Sequence, residues 1–245
     1  MEVNMSGIRI LPAGDLALVV EFGNEISNAC NEKVGQLNQS LKRNNIRGIV
    51  ETVPTYRSLL IYYDPLQLSF KKLSRYIRSA TRAAGVTTAV TRRRVTIPVC
   101  YGGQYGEDLA DVAQHTGMSE EEVISLHSSV DYRIFMMGFL PGFPYLGGMD
   151  PRLKTPRLSN PRTSIPAGSV GIGGEQTGVY PIASPGGWRL IGRTPLKLYD
   201  REGEKPTIYQ AGDFIRFQPV GEEEYLRIEE QVKLGGYQCK ITAVE

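Results

Sequence analysis

The sequence predicts an α+β protein in two parts: a small α/β domain over residues 1–91 and a β-barrel domain over residues 92–245. The first ninety residues alternate short β-prone runs with two stripes of helical period. The remainder breaks into short β-prone runs bounded by Gly or Pro, the grain of a closed or nearly closed barrel. One helical hairpin, at about 107–128, interrupts that second pattern.

In chain order, residues 8–11 and 16–22 read as strands joined by a turn through Pro12, Ala13 and Gly14. Ile26, Cys30, Val34, Leu37 and Leu41 recur every three or four residues, which puts them on one helical face. Residues 46–53 and 58–63 are strands, the second stopped by Asp64-Pro65. Phe70, Leu73, Ile77, Ala80 and Ala84 make a second helical stripe, ended by Gly85. Strand pair, helix, strand pair, helix gives a sandwich with both helices on one sheet face. Polar groups do not converge there, so no chemistry is expected of it.

Arg92-Arg93-Arg94 is a solvated strand entry leading into a strand over 95–100, and Tyr101-Gly102-Gly103 turns the chain. Further strands are expected at 169–172, 178–182, 189–191, 197–199 and 213–218. No helix is expected after Ser128, and the acidic residues Glu222–Glu224, Glu229 and Glu230 read as solvated surface.

Composition narrows the function classes. The chain has 245 residues, a formal net charge of +2 and 41% hydrophobic residues, which fits a globular protein with ample core. No apolar run approaches the roughly 18–20 residues needed to span a bilayer, and the first ten residues carry neither basic leader nor apolar signal core. No membrane role is expected. The 3 cysteines are far apart with no CxxC, so a reduced, cytoplasmic setting is expected.

Several motifs fail on inspection. Residues 108–127 imitate a DNA-reading helix-turn-helix, but the second helix opens with Glu120-Glu121-Glu122, which would face DNA phosphates. Those carboxylates suit a helix N-terminus, and no nucleic-acid partner is expected. Ala167-Gly168-Ser169-Val170-Gly171 approaches a nucleophile elbow without the helix that must follow. The run from Gly171 to Gln176 lacks the last glycine of a dinucleotide fingerprint. With only His115 and His127, no multi-histidine metal site forms. His115 is expected to be exposed, whereas His127 serves either as a helix C-terminal dipole partner or as a site residue.

The most informative stretch runs from Phe135 to Pro195. It combines Gly and Pro with Phe, Tyr, Trp and Arg, unlike a linker, whose residues have nothing to pack against. It holds 6 basic residues (Arg152, Lys154, Arg157, Arg162, Arg189, Arg193) against 2 acidic ones (Asp150, Glu175). That local positive field suits carboxylates or phosphates. The six bases cannot all pair locally.

The blocks LHSSVDYRIFMMGFLPGFPYLGGMD, PRTSIPAGSVGIGGEQTGVYP and SPGGWRLIGRTP resemble the family that includes the B-type subunit of 5-oxoprolinase, the first subunit of allophanate hydrolase and a sporulation histidine-kinase inhibitor. The likeness extends over nearly the whole chain, through GDLALVVEFG and IPVCYGG. It implies a cyclophilin-like architecture for the barrel, without implying isomerase activity. It further implies a partner like the C-type subunit of 5-oxoprolinase or the second subunit of allophanate hydrolase, with a histidine kinase as the alternative partner. The activity implied is ATP-dependent opening of 5-oxoproline to L-glutamate. The alternatives are inhibition of a histidine kinase's autophosphorylation and a role as the first subunit of allophanate hydrolase. ATP and Mg2+ would be used by the complex, and no nucleotide motif is present on this chain.

That chemistry needs cations for a phosphoryl group and a carboxylate. Arg157, Arg162 and Arg189 are the candidates, since a guanidinium grips oxyanions bidentately. Gln176 would donate to a carbonyl oxygen, Tyr180 would orient or relay a proton, and His127 completes the catalytic candidates. Phe143, Tyr145 and Trp188 are either site walls or core, and Gly186 and Gly187 set turns that also permit close ligand approach.

Overall fold

The computed structural model describes residues 8–25, 27–83 and 92–244. The chain divides into two compact units, Met1–Val90 and Thr91–Glu245. Ile26, Ala84 and Gly85, which the sequence assigns to helical stripes and a helix stop, lie outside the described residues.

In the first unit, β1 (Arg9–Pro12), β2 (Ala17–Glu21), β3 (Ile49–Pro54) and β4 (Ser58–Tyr63) form a sheet of order β1-β2-β4-β3. Helices α1 (Asn28–Asn44) and α2 (Phe70–Ala83) complete the unit. The two-residue period of a strand sends alternate residues Leu18 and Val20, and Leu59, Ile61 and Tyr63, to one face. There they pack with Val34, Leu37 and Leu41 of α1 and with Leu73 and Ile77 of α2 in a single core. Ser27 caps α1 by accepting from the Cys30 amide, and Asn45 ends it in a left-handed conformation.

The second unit winds β5 (Arg92–Tyr101), β6 (Asp131–Met137), β7 (Pro144–Gly147), β9 (Ser169–Gly173), β10 (Gln176–Val179), β12 (Arg189–Arg193) and β13 (Phe214–Pro219) into one sheet of order β10-β9-β12-β5-β13-β6-β7. Strand β14 (Ile241–Val244) pairs with β5, while β8 (Arg162–Ile165) and β11 (Ser184–Gly186) form a separate two-stranded sheet. The large sheet curls until its ends meet. A Cβ on Gly178 of β10 would lie 3.4 Å from the Pro144 carbonyl oxygen of β7. The fold is therefore a nearly closed barrel, filled by Val95, Ile97, Val99, Ile134, Ile172 and Phe217 among others.

Helices α3 (Leu109–Thr116) and α4 (Glu120–Ser128) are the expected hairpin. Ser119 and Glu122 make a reciprocal capping box at the start of α4. The sequence places no helix after Ser128, yet α5 spans Glu222–Lys233. Its buried stripe is narrow, Tyr225 and Ile228 only. Its three leading glutamates sit in the first turn, where the helix dipole favours negative charge. Residues 197–199 are not a strand: they contribute only an isolated bridge between Tyr199 and Thr207.

Candidate functional site

Strands β9, β10 and β12 have two different faces. Val170, Ile172, Thr177 and Val179 point inward, and the three aliphatic ones belong to the barrel core. Alternation sends Gly171, Gly173, Gln176, Gly178 and Tyr180 outward. On that outer face lies Trp188. A Cβ on Gly173 would sit 2.3 Å from its Cδ1, and one on Gly178 would sit 3.1 Å from its Cζ3. The glycine-rich run 171–178 is thus a smooth floor on which an indole can lie.

Around Trp188 is an aromatic layer separate from the barrel core: Phe143, Ile165, Tyr180, Trp188 and Leu190, with Leu140 and Tyr145 against it. Phe143 meets Tyr145, Tyr180 and Trp188 edge to face at ring separations of 5.3, 5.5 and 5.8 Å. Phe143, Tyr180 and Trp188 are all buried, so they support the surface instead of walling an open cavity. Burial pushes the Tyr180 phenol up to about 12, against the opposing pull of Arg157, the Trp188 backbone N–H and Arg162. Tyr180 is accordingly neutral at ordinary pH. Gly186 lets the layer close, since a Cβ there would strike Ile165 and the Tyr180 hydroxyl at 2.6 and 2.7 Å. The Gly187 carbonyl accepts from the Leu158 amide at 2.7 Å, a turn contact.

As expected, the two acids of the segment pair with only two of its six bases. Arg152 pairs with Asp150 at 2.8 Å and Lys154 with Glu175 at 2.6 Å. Arg162 binds Asp108 at 2.9 Å and Glu107 at 3.0 Å, and Arg189 binds Asp111 at 2.6 Å. These last acids come from the start of the helical hairpin, more than fifty residues earlier in the chain. Burial works against the Arg162 charge, and the Asp108 and Glu107 carboxylates outweigh it, so its pKa rises. Arg162 and Arg189 are therefore committed cations.

Arg157 differs. It is exposed and has no carboxylate partner among the described residues; Arg193 has none either, but it is half-buried with its Nε enclosed. Its guanidinium carbon stands 5.8 Å from the centre of the Trp188 ring, and one nitrogen reaches Gln176 Oε1 at 3.5 Å. An aromatic face and an amide hold a cation whose remaining donors are open, an arrangement able to grip an oxyanion.

His127 is not brought to this surface. It is buried inside the barrel, stacked on Phe217 at 4.8 Å. Thr177 donates to the Gly171 carbonyl at 3.0 Å, so it accepts from His127 Nε2–H at 2.8 Å. The Nδ1 atom then accepts from the Tyr101 hydroxyl at 2.8 Å. Burial pushes His127 down to about 3, so it stays neutral. Its role here is to tie α4 to β5, β9 and β10.

Two features escaped the sequence analysis. Asp108 is buried: beyond Arg162, its Oδ2 accepts from the Leu190 amide at 2.6 Å, fastening the hairpin to β12. No local pattern marks such a residue, because its partners lie 54 and 82 positions away. Phe139 is the second: 68% exposed at the edge of the aromatic layer, in a left-handed conformation with φ 65°.

Comparison with known proteins agrees with this architecture. The family described as carboxyltransferase domain, subdomain C and D, matches residues 8–209. The chain is 42% identical to the B-type subunit of 5-oxoprolinase from Bacillus subtilis over 228 residues, covering 89% of this chain and 95% of that protein. The crystal structure of TTHA0988 superposes with a TM-score of 0.74 at 38% identity, over 83% of this chain and 40% of that one. The Kluyveromyces lactis urea amidolyase shares the fold, with a TM-score of 0.75 at 22% identity over 97% of this chain and 16% of its own. Among the described residues no helix is long and apolar enough to cross a membrane.

Proposed function

The chain belongs to the family of carboxyltransferase subdomains C and D, and on that premise we propose that it is the B-type subunit of an ATP-dependent 5-oxoprolinase. In that role it works with a companion chain to open 5-oxoproline to L-glutamate. Its similarity to the Bacillus subtilis B-type subunit along almost the full length of both chains supports the assignment. A single observation on the surface carries the site: Arg157 is a positioned guanidinium with no carboxylate of its own.

In this proposal Arg157 grips the substrate carboxylate and Gln176 meets the lactam amide. Trp188 and the buried Phe143 and Tyr180 hold both in place, with half-buried Tyr145 at the rim. Arg162 and Arg189 act through structure, since each is neutralised by an acid. The nucleotide belongs on the companion chain. The Gly171–Gln176 run turns back as a hairpin at Gly174, its floor lies under Trp188, and no helix N-terminus follows to receive a phosphate.

The test is reconstitution of the complex and assay of 5-oxoproline-dependent ATP hydrolysis and glutamate release. Arg157→Ala is expected to lower kcat/KM by about 10- to 100-fold, the worth of a charge-assisted hydrogen bond. Activity equal to the parent would remove Arg157 from the site. Turnover of allophanate in place of 5-oxoproline would overturn the substrate assignment.

A further inference from the structure

The hairpin that joins β6 to β7 carries a feature that lactam binding does not use. The Leu140 amide donates to the Gly138 carbonyl at 2.7 Å, closing a three-residue turn around Phe139 at φ 65°. That is the γ-turn of positive φ, rare and strained for any residue with a side chain. Glycine would adopt it freely, and Gly138 and Gly142 stand on either side. The turn nevertheless holds a phenylalanine, and holds it outward. Phe139 is 68% exposed while Phe143, which it touches edge to face at 5.6 Å, is 2% exposed. Pro141 beside it is exposed as well.

We propose that Phe139 is the anchor by which this chain docks on its companion subunit, inserting its ring into an apolar pocket of that partner. This rests on the assignment made above. What argues for a polypeptide occupant is the setting of the fold elsewhere. The region matched here is 40% of TTHA0988, so in that protein the same fold is continuous with further chain. The Bacillus subtilis relative of nearly equal length carries the name of a subunit. A fold built to lie beside more protein needs a contact of this kind, and an aromatic knob rigidly presented at little entropic cost is a typical hot spot. The position also borders the site: Phe139 packs on Phe143, which in turn packs on Trp188, so a chain seated on it would abut the aromatic layer.

The experiment uses the full chain with the companion subunit of the complex, and measures association by titration calorimetry. Phe139→Gly relieves the backbone while removing the ring, and Phe139→Asn, which also tolerates positive φ, serves as a second variant. Both are expected to keep or raise Tm and to weaken association at least tenfold. Weakening of less than tenfold in both would overturn the docking proposal while leaving the functional assignment intact. A parent chain that does not bind the companion at all would overturn both. A parent that self-associates, and becomes monomeric on Phe139→Gly, would overturn it in favour of a second copy.

Discussion

The two faces of β9, β10 and β12 share one backbone and treat polar groups in opposite ways. Inside the barrel, Tyr101, His127, Thr177 and the Gly171 carbonyl form a chain in which every donor meets an acceptor. Outside, the same strands present a glycine floor, an aromatic layer and a cation with open donors. Buried polar groups must be satisfied because desolvation is otherwise uncompensated, whereas an exposed guanidinium can wait for a ligand. The contrast teaches where to look for function: in the polar group left open on a rigid support, not in a pKa displaced by burial. His127 has such a displaced value and belongs to the architecture.

That contrast can be broken at its foundation first. Arg162→Ala would strip Asp108 of its cation while the carboxylate stays buried, with Leu190 N–H as a remaining donor. Leaving a buried charge without its partner costs about 3 kcal/mol. Denaturant unfolding should show a loss of that order. A loss below about 1 kcal/mol would mean that Asp108 is solvated well enough to need no clamp.

On the inner face, Thr177→Val keeps the shape and removes both the acceptor for His127 Nε2–H and the donor to Gly171. The orphaned buried imidazole N–H should cost about 2 kcal/mol. Trp188 is the only tryptophan, so its emission reports separately on the outer face. Stability should fall with the emission maximum unmoved. A red shift would show that the floor under Trp188 depends on the inner network.

How much of this was legible in the sequence follows from the range of the interactions. Stripes such as Val34, Leu37 and Leu41 are local, and α1 lies where they put it. The Gly-rich stretch 135–195 was recognisable as a built surface because glycines and aromatics alternate within a few residues. What the sequence hid is long-range pairing. Nothing near Arg162 or Arg189 announces Asp108 or Asp111, so counting charges within one segment left too many cations unpaired. Nor does sequence say which side of a strand faces the core when both sides carry Gly, Thr and Tyr. His127 could be placed only once Thr177 was seen to point inward. Phe139 was hidden because its information is a dihedral angle.

A gentler probe of the inner face is pH. The His127 pKa is lowered by burial from 6.5 to about 3. Between those values the unfolded chain holds a proton that the folded chain excludes, so stability is full above about pH 6.5 and declines as pH falls towards 3. The slope from this one group is about 1.4 kcal/mol per pH unit. His127→Gln should lower stability at about pH 8 by loss of the imidazole contacts, yet flatten the curve between about pH 6.5 and about pH 4. Unfolding curves for parent and variant should therefore converge on acidification. Parallel curves would show that His127 takes up a proton in the folded state.

The smallest effect on stability is expected at Arg157, where the effect on binding is expected to be largest. Arg157→Ala removes an exposed guanidinium that stands over Trp188 and makes one long contact to Gln176. Such a cation–π contact at the surface is worth about 0.5–1 kcal/mol, and no buried group loses its partner. The unfolding midpoint should move by no more than that. Arg162, five positions on, should behave in the opposite way, as a loss of fold that drags activity with it. If both variants fell in stability by the same amount, Arg157 would be one more structural cation. A stable Arg157→Ala protein that no longer supports turnover would show that the outer face keeps one positive charge open for a substrate.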